Sequence, residues 1–179
     1  MIEKVLGWDF SQAVNKITYK ILYKHHLRSV KHCYKNLYDL LKACYPERLL
    51  KPYYLKKHRN VWFDDEGNMK ADLAREAIRE FVGIITCQKE KHRLKDIPKW
   101  INYRWFHRKI LPYETSLSYM LNLCFNNSPF DAIIFAYPEL KLKSHYFRCV
   151  PKGYWKGEIG KNHAKEIMKE LLVNLQLNP

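Results

Sequence analysis

Residues 130–147 read FDAIIFAYPELKLKSHYF, and residues 38–55 read YDLLKACYPERLLKPYYL. At an offset of 92 they share seven identities in 18 positions: Asp39/Asp131, Tyr45/Tyr137, Pro46/Pro138, Glu47/Glu139, Leu50/Leu142, Lys51/Lys143 and Tyr54/Tyr146. Average composition predicts about one. Tyr38/Phe130 and Leu41/Ile133 are conservative matches. The match extends both ways with small gaps. Downstream, Trp62 meets Trp155 and AREAIREFV (74–82) meets AKEIMKELL (164–172). Upstream, ITYKILYKHHL (17–27) meets INYRWFHRKIL (101–111), and the second copy is eight residues longer between Leu111 and Ser128. Coincidental helices share one local identity, not a series of landmarks in one order. An internal repeat fixes the architecture before any single motif does.

The reading is an all-α chain: two tandem helical, helix-turn-helix-like units with extended aromatic connectors. An N-terminal segment spans 1–16, unit one 17–90, and unit two 91–179 with a C-terminal helix. In unit two, Asp96 is a candidate N-cap with Pro98 in the first turn, predicting a helix over 97–110 stopped by Pro112. Leu117, Met120, Leu121 and Cys124 fall at helical spacing. NNSP (126–129) breaks that helix, with Ser128 as cap and Pro129 as first residue of the next. In unit one Asn36 aligns with Ser128. The repeat argues for a break there, while Val30, Cys33, Leu37, Leu41 and Cys44 have the spacing of one core-facing helix over 29–44. Both alternatives stand on sequence alone. The connectors 49–63 and 140–155 read as extended, pinned to the helices by Tyr54/Tyr146 and Trp62/Trp155. Helices over 71–82 and 161–173 close the units.

Charge points to the partner. Thirty-two Lys and Arg against 18 Asp and Glu give +14. A chain this basic meets a polyanion or carries a solvated basic surface without a dedicated ligand. Residues 16–59 hold twelve bases and two acids, residues 89–109 eight and two, and residues 64–80 three and six. Each unit therefore has a basic segment. Lys16, Lys20 and Lys24 recur every four residues; Arg28, Lys31 and Lys35 follow; Lys51, Arg104, Arg108, Lys109 and Lys143 complete the candidate phosphate contacts. Lys20/Arg104, Lys24/Arg108 and Lys51/Lys143 correspond between copies. PFDAIIFAY (129–137) offers only Asp131 as a polar contact. Ser116 and Asn122 are the better candidates for base edges, which are read by hydrogen-bonding side chains.

Other chemistry is poorly supported. Asp64-Asp65-Glu66 with His58 has the composition of a metal-dependent nuclease site. Unit two has Lys156-Gly157-Glu158 there, and a solvated turn leading into a helix is more economical. The histidines lie among cations, and HExxH is absent. No catalytic residue, metal site or cofactor is expected. No segment has the roughly 18 uncharged apolar residues of a membrane span, and the first residues do not read as a signal peptide. Cysteines 33, 44, 87, 124 and 149 show no CxxC spacing. That usage suits free thiols in the cytoplasm, with Cys33, Cys44 and Cys124 in the core.

The landmarks Tyr-Pro-Glu, Leu-Lys, Tyr and Trp resemble those of an uncharacterised class of tandem helix-turn-helix-like repeat proteins of Gram-positive bacteria and their phages, over about 17–172. The resemblance implies no established activity. The expected function is non-enzymatic nucleic-acid binding. Double-stranded DNA is favoured; RNA or single strands are the next choice, supported by 13 Tyr and 5 Trp among basic residues. The rival is a protein-binding adaptor or inhibitor, bacterial or phage-encoded, that sets the basic face on an acidic partner.

Overall fold

The computed structural model describes residues 7–55, 59–88, 94–150 and 153–175. These residues form helices and no strand; Phe63–Met69 and Leu111–Thr115 are isolated β-bridges. In chain order the α-helices are α1 Phe10–Lys16, α2 Tyr19–Lys24, α3 Val30–Cys33, α4 Leu37–Cys44, α5 Arg59–Trp62, α6 Ala71–Gln88, α7 Ile97–Trp100, α8 Tyr103–Phe106, α9 Ser118–Phe125, α10 Pro129–Ala136 and α11 Gly157–Asn174. Among the described residues, no helix is long and apolar enough to cross a membrane.

Short helices dominate because capping residues and prolines punctuate the sequence closely. Asn36 Oδ1 accepts from the Asp39 amide at 2.9 Å, and Ser128 Oγ accepts from the Asp131 amide at 3.2 Å. α4 and α10 run eight residues each. They end at Tyr45 (φ −135°, ψ 63°) and Tyr137 (φ −130°, ψ 58°). Each tyrosine precedes a proline, whose ring excludes the helical conformation from the residue before it. Asn126 and Asn127 take positive φ after α9, a conformation that asparagine tolerates.

Several elements differ from the sequence reading. The stretch 29–44 is two helices, because the Asn36 side chain captures an amide that a continuous helix would give to a backbone carbonyl. The expected helix over 97–110 is also broken. Ile101 is extended (φ −71°, ψ 134°) and Asn102 Oδ1 caps the Arg104 amide at 3.0 Å. The aligned break occurs at Ile17 (φ −61°, ψ 133°), with Thr18 Oγ1 accepting from Ile21 N at 3.3 Å. Lys16 and Lys20 therefore lie on different helices. Asp96 makes no capping bond; its carboxylate takes Lys99 Nζ at 2.8 Å. The connectors are not fully extended: Pro52–Tyr54 and Ser144–Tyr146 are single 3-10 turns. Tyr54 and Trp62 are buried, but Tyr146 and Trp155 are about half exposed. Cys33 and Cys44 are exposed, not in the core.

α6 is the spine of the core. Ala74, Ala77, Ile78, Phe81 and Val82 are fully buried, each large side chain contributing about 1.5–3 kcal/mol by leaving water. α10 lies along α6. Arg79 fastens the pair: Nε donates to the Ala136 carbonyl at 2.8 Å, Nη2 meets Glu139 at 2.9 Å, and the guanidinium covers the Tyr137 ring at 5.3 Å. Phe81 also meets Phe106 at 5.0 Å between ring centres. Thr115, buried, donates its hydroxyl to the Tyr54 carbonyl at 2.8 Å. Buried residues from both sequence halves make one continuous apolar cluster.

Candidate nucleic-acid interface

The structure sorts the candidate cations into two groups. Lys35 pairs with Asp65 at 2.9 Å, Lys51 with Glu76 at 2.8 Å and Glu80 at 2.7 Å, Lys109 with Glu114 at 3.3 Å, and Lys143 with Glu170 at 2.6 Å. Lys16, Lys20, Lys24, Arg28, Lys31, Arg104 and Arg108 are exposed. None of these seven lies within ion-pair distance of a carboxylate among the described residues. Three rest on aromatic faces: Lys16 on Trp8 at 5.7 Å, Arg28 on Tyr23 at 5.4 Å and Arg108 on Trp105 at 4.1 Å. Stacking steadies a guanidinium while leaving its in-plane N–H donors open to a phosphate.

Two of the unpaired cations, Lys20 and Arg104, lie in the first turns of α2 and α8, just past the Thr18 and Asn102 caps. Lys24 and Arg108 lie at the far ends of those helices, Arg108 two residues beyond α8. Arg104 borders an open recess with Asn102, Tyr103, Arg148 and Cys149. Arg148, exposed, is a cation the sequence reading passed over. Its position beside Arg104 arises because its amide donates to the Pro98 carbonyl at 3.3 Å, a link with no local sequence signal. Asn122 is exposed on α9, whereas Ser116 is half-buried and shares a hydrogen bond with Ser118 at 3.1 Å. α10, in the position of a recognition helix, packs on α6 and exposes one charged side chain, Asp131.

Two of the paired cations, Lys51 and Lys143, belong to clamps at aligned positions of the sequence. Glu80 accepts from Lys51, from the Tyr53 hydroxyl at 2.6 Å and from the Tyr54 hydroxyl. Burial pushes the Glu80 carboxyl up, but these three donors outweigh it and hold it below its ordinary value. Burial first, and then the carboxylate, raises both phenols. Burial opposes the charge on Lys51, and Glu76 and Glu80 outweigh it. At the aligned positions, Glu170 accepts from Lys143 and the Tyr146 hydroxyl. The Lys143 hydrogen bond lowers the Glu170 carboxyl, with Tyr146 adding to it.

The acidic stretch is a turn. Asp64 Oδ1 accepts from the amides of Asn68 at 2.8 Å and Glu66 at 3.0 Å. The Asn68 amide leads in lowering the Asp64 carboxyl. Asp65 is spent on Lys35. His58 lies outside the described residues, and among those described no three His, Cys, Asp or Glu gather to hold a metal. Comparison with protein-family models, with curated proteins and with solved structures finds no match to the chain.

Proposed function

We propose that this is a non-enzymatic nucleic-acid-binding protein made of two tandem helical units, with double-stranded DNA as the preferred ligand. The observation that carries the reading is the set of seven exposed cations left without carboxylate partners among the described residues, on a chain that pairs other lysines. Lys20 and Lys24 on α2 and Arg104 and Arg108 at α8 occupy aligned positions, so each unit offers the same pair of charges to a phosphate backbone. The aligned caps, the Tyr-Pro helix ends and the two Lys–Tyr–Glu clamps support the tandem reading. α10 has little to offer a major groove, so backbone contact, not base readout through that helix, provides the affinity.

Fluorescence anisotropy with labelled duplex DNA, single-stranded DNA and RNA tests this between about 50 and 300 mM salt. Neutralising five to seven phosphates gives a slope of log K on log salt of about −4.5 to −6. Replacing Lys20, Lys24, Arg104 and Arg108 together by Ala removes about 3.6 from that slope. Preference for RNA or single strands would redirect the ligand. No binding to any of the three at low salt overturns the nucleic-acid reading, and tight capture of one acidic protein that the quadruple variant weakens then supports the adaptor.

A further inference from the structure

Arg104 and Arg148, far apart in sequence, line one recess of about 380 Å³ together with Asn102, Tyr103 and Cys149. Both arginines are exposed, and neither lies within ion-pair distance of a carboxylate among the described residues. No described carboxylate lines the recess. The backbone beneath the two side chains is anchored. Ile101, Phe106 and Phe147, their neighbours in the chain, are buried. Asn102 Oδ1 accepts from the Arg104 amide at 3.0 Å, and the Arg148 amide donates to the Pro98 carbonyl at 3.3 Å. Asn102 Nδ2 is spent on the Trp100 carbonyl at 3.4 Å. Two guanidiniums thus project from held backbone around one concavity, and no described acid offsets their repulsion.

We propose that this recess seats the terminal phosphate of a nucleic-acid strand, a phosphate monoester held between Arg104 and Arg148. The inference rests on the nucleic-acid reading and adds to it the recognition of a strand end. A guanidinium presents a planar fork of N–H donors that meets phosphate oxygens in pairs. A phosphate monoester carries a charge of about −1.5 to −2 at neutral pH, against a single charge on each internal phosphate of a strand. It therefore answers both arginines at once. Shape selects the end as well. The flank of a duplex is convex, whereas a phosphate at a strand end projects and can enter a concavity. The surroundings suit a strand better than a phosphorylated side chain. Tyr103, 43% exposed, offers its ring to the terminal base. Arg108, stacked on Trp105 at 4.1 Å, is a further unpaired cation for the next phosphate. At the positions aligned with Arg104 and Arg148, unit one has Lys20 and Lys56; Lys56 lies outside the described residues. Lysines are point charges without the fork, so the seat belongs to unit two.

Fluorescence anisotropy on the full chain at about 100 mM salt tests this with one internally labelled duplex carrying hydroxyl ends, 5′-phosphates or 3′-phosphates. One of the two phosphorylated forms should bind at least about tenfold tighter than the hydroxyl form, the worth of one charge-assisted hydrogen bond, and the two arms name the end. Arg148→Ala should bring the ratio of phosphate-ended to hydroxyl-ended affinity to about one, and Arg148→Lys, which keeps the charge and removes the fork, to about two or less. Lys161→Ala, which removes one exposed charge on α11 away from the recess, should leave the ratio unchanged. Reading the ratio within each variant cancels any general change in affinity. A wild-type ratio near one overturns the proposal and leaves duplex binding standing; no binding to any of the duplexes at low salt overturns both. A ratio that survives either Arg148 variant, or that falls equally in Lys161→Ala, overturns the proposal. Competition by a phosphoserine peptide as strong as that by the phosphorylated strand assigns the recess to a protein ligand and overturns it too.

Discussion

Removing the Glu80 carboxylate tests the packing argument most directly. Tyr53 and Tyr54 are 1% and 3% exposed, and both donate their hydroxyls to Glu80. In Glu80→Ala, Tyr53 keeps Glu76 at 3.2 Å and Lys51 keeps it at 2.8 Å. Tyr54 is left with a buried hydroxyl and no replacement partner. An orphaned buried donor costs about 1–3 kcal/mol, and each weakened charge-assisted bond about 0.5–1.5 kcal/mol more. The sum is about 2–6 kcal/mol with a centre near 4, a large part of the roughly 5–15 kcal/mol that keeps a domain folded. With a urea m-value of about 2–3 kcal/mol per molar, the midpoint falls by about 1–2 M at unchanged m. Glu170→Ala is the internal control. Tyr146 is 46% exposed, so water replaces the lost acceptor and the shift is far smaller. A Glu80→Ala midpoint within about 0.3 M of wild type, or equal costs at both sites, would refute the reasoning. The clamp also sets an acid limit. A folded-state carboxyl held below its ordinary 4.5 contributes stability that is present above that pH and lost as pH falls through the lower folded value. Glu80→Gln flattens that acid limb in the same urea titrations.

Three further outcomes follow from the caps, the thiols and one glycine. Asn36→Ala and Ser128→Ala each lower stability by about 1 kcal/mol, since each removes the side-chain acceptor of an eight-residue helix; paired thermal melts check this, and loss at one cap alone would contradict their aligned roles. Burial pushes the Cys124 thiol up to about 11, while Cys33, Cys44, Cys87 and Cys149 are exposed. Maleimide labelling at pH 7.5 with peptide mapping should therefore find four fast thiols and one slow one, because the thiolate is the reactive form. A Cβ at Gly160 would stand 2.2 Å from the Trp155 carbonyl carbon. Gly160→Ala must therefore displace the turn that leads into α11, costing about 1–3 kcal/mol and changing tryptophan emission.

What the sequence made legible was what is encoded locally. Asn36 and Ser128 act on amides three residues on, and Pro46 and Pro138 on the residue just before them, so the ends of α4 and α10 are written where they occur. The breaks at Ile17 and Ile101 carry the same kind of signal, an extended Ile before Thr18 or Asn102. Apolar periodicity across 97–108 masked it, because two short helices in near register leave a pattern like that of one long helix. Arg79 on Ala136 and Glu139, and Glu80 on Tyr53 and Tyr54, join residues 26–60 positions apart, and no local pattern announces such pairings. The candidate interface divides the same way. Cation positions are visible in the sequence; that Lys35, Lys51 and Lys143 are held by carboxylates depends on where distant acids fold back, whereas Lys109 meets Glu114 only five residues on. Cys33 lies exposed on α3, apart from the buried Leu37 and Leu41 of α4, and Cys44 is exposed as the last residue of α4.

The two clamps also bear on the order in which the chain assembles. Lys51, Tyr53 and Tyr54 reach Glu80 across 26–29 residues, and Lys143 and Tyr146 reach Glu170 across 24–27. The Arg79 contacts to α10 span 57–60. Closing a loop twice as long costs only about 0.6 kcal/mol more in entropy, but the search for it is slower. Loop length alone therefore favours closure of each clamp over docking of α10 on α6. A nascent chain that has cleared the ribosome through α6 already holds every residue the first clamp requires, while the face of α6 that α10 covers still lacks its partner.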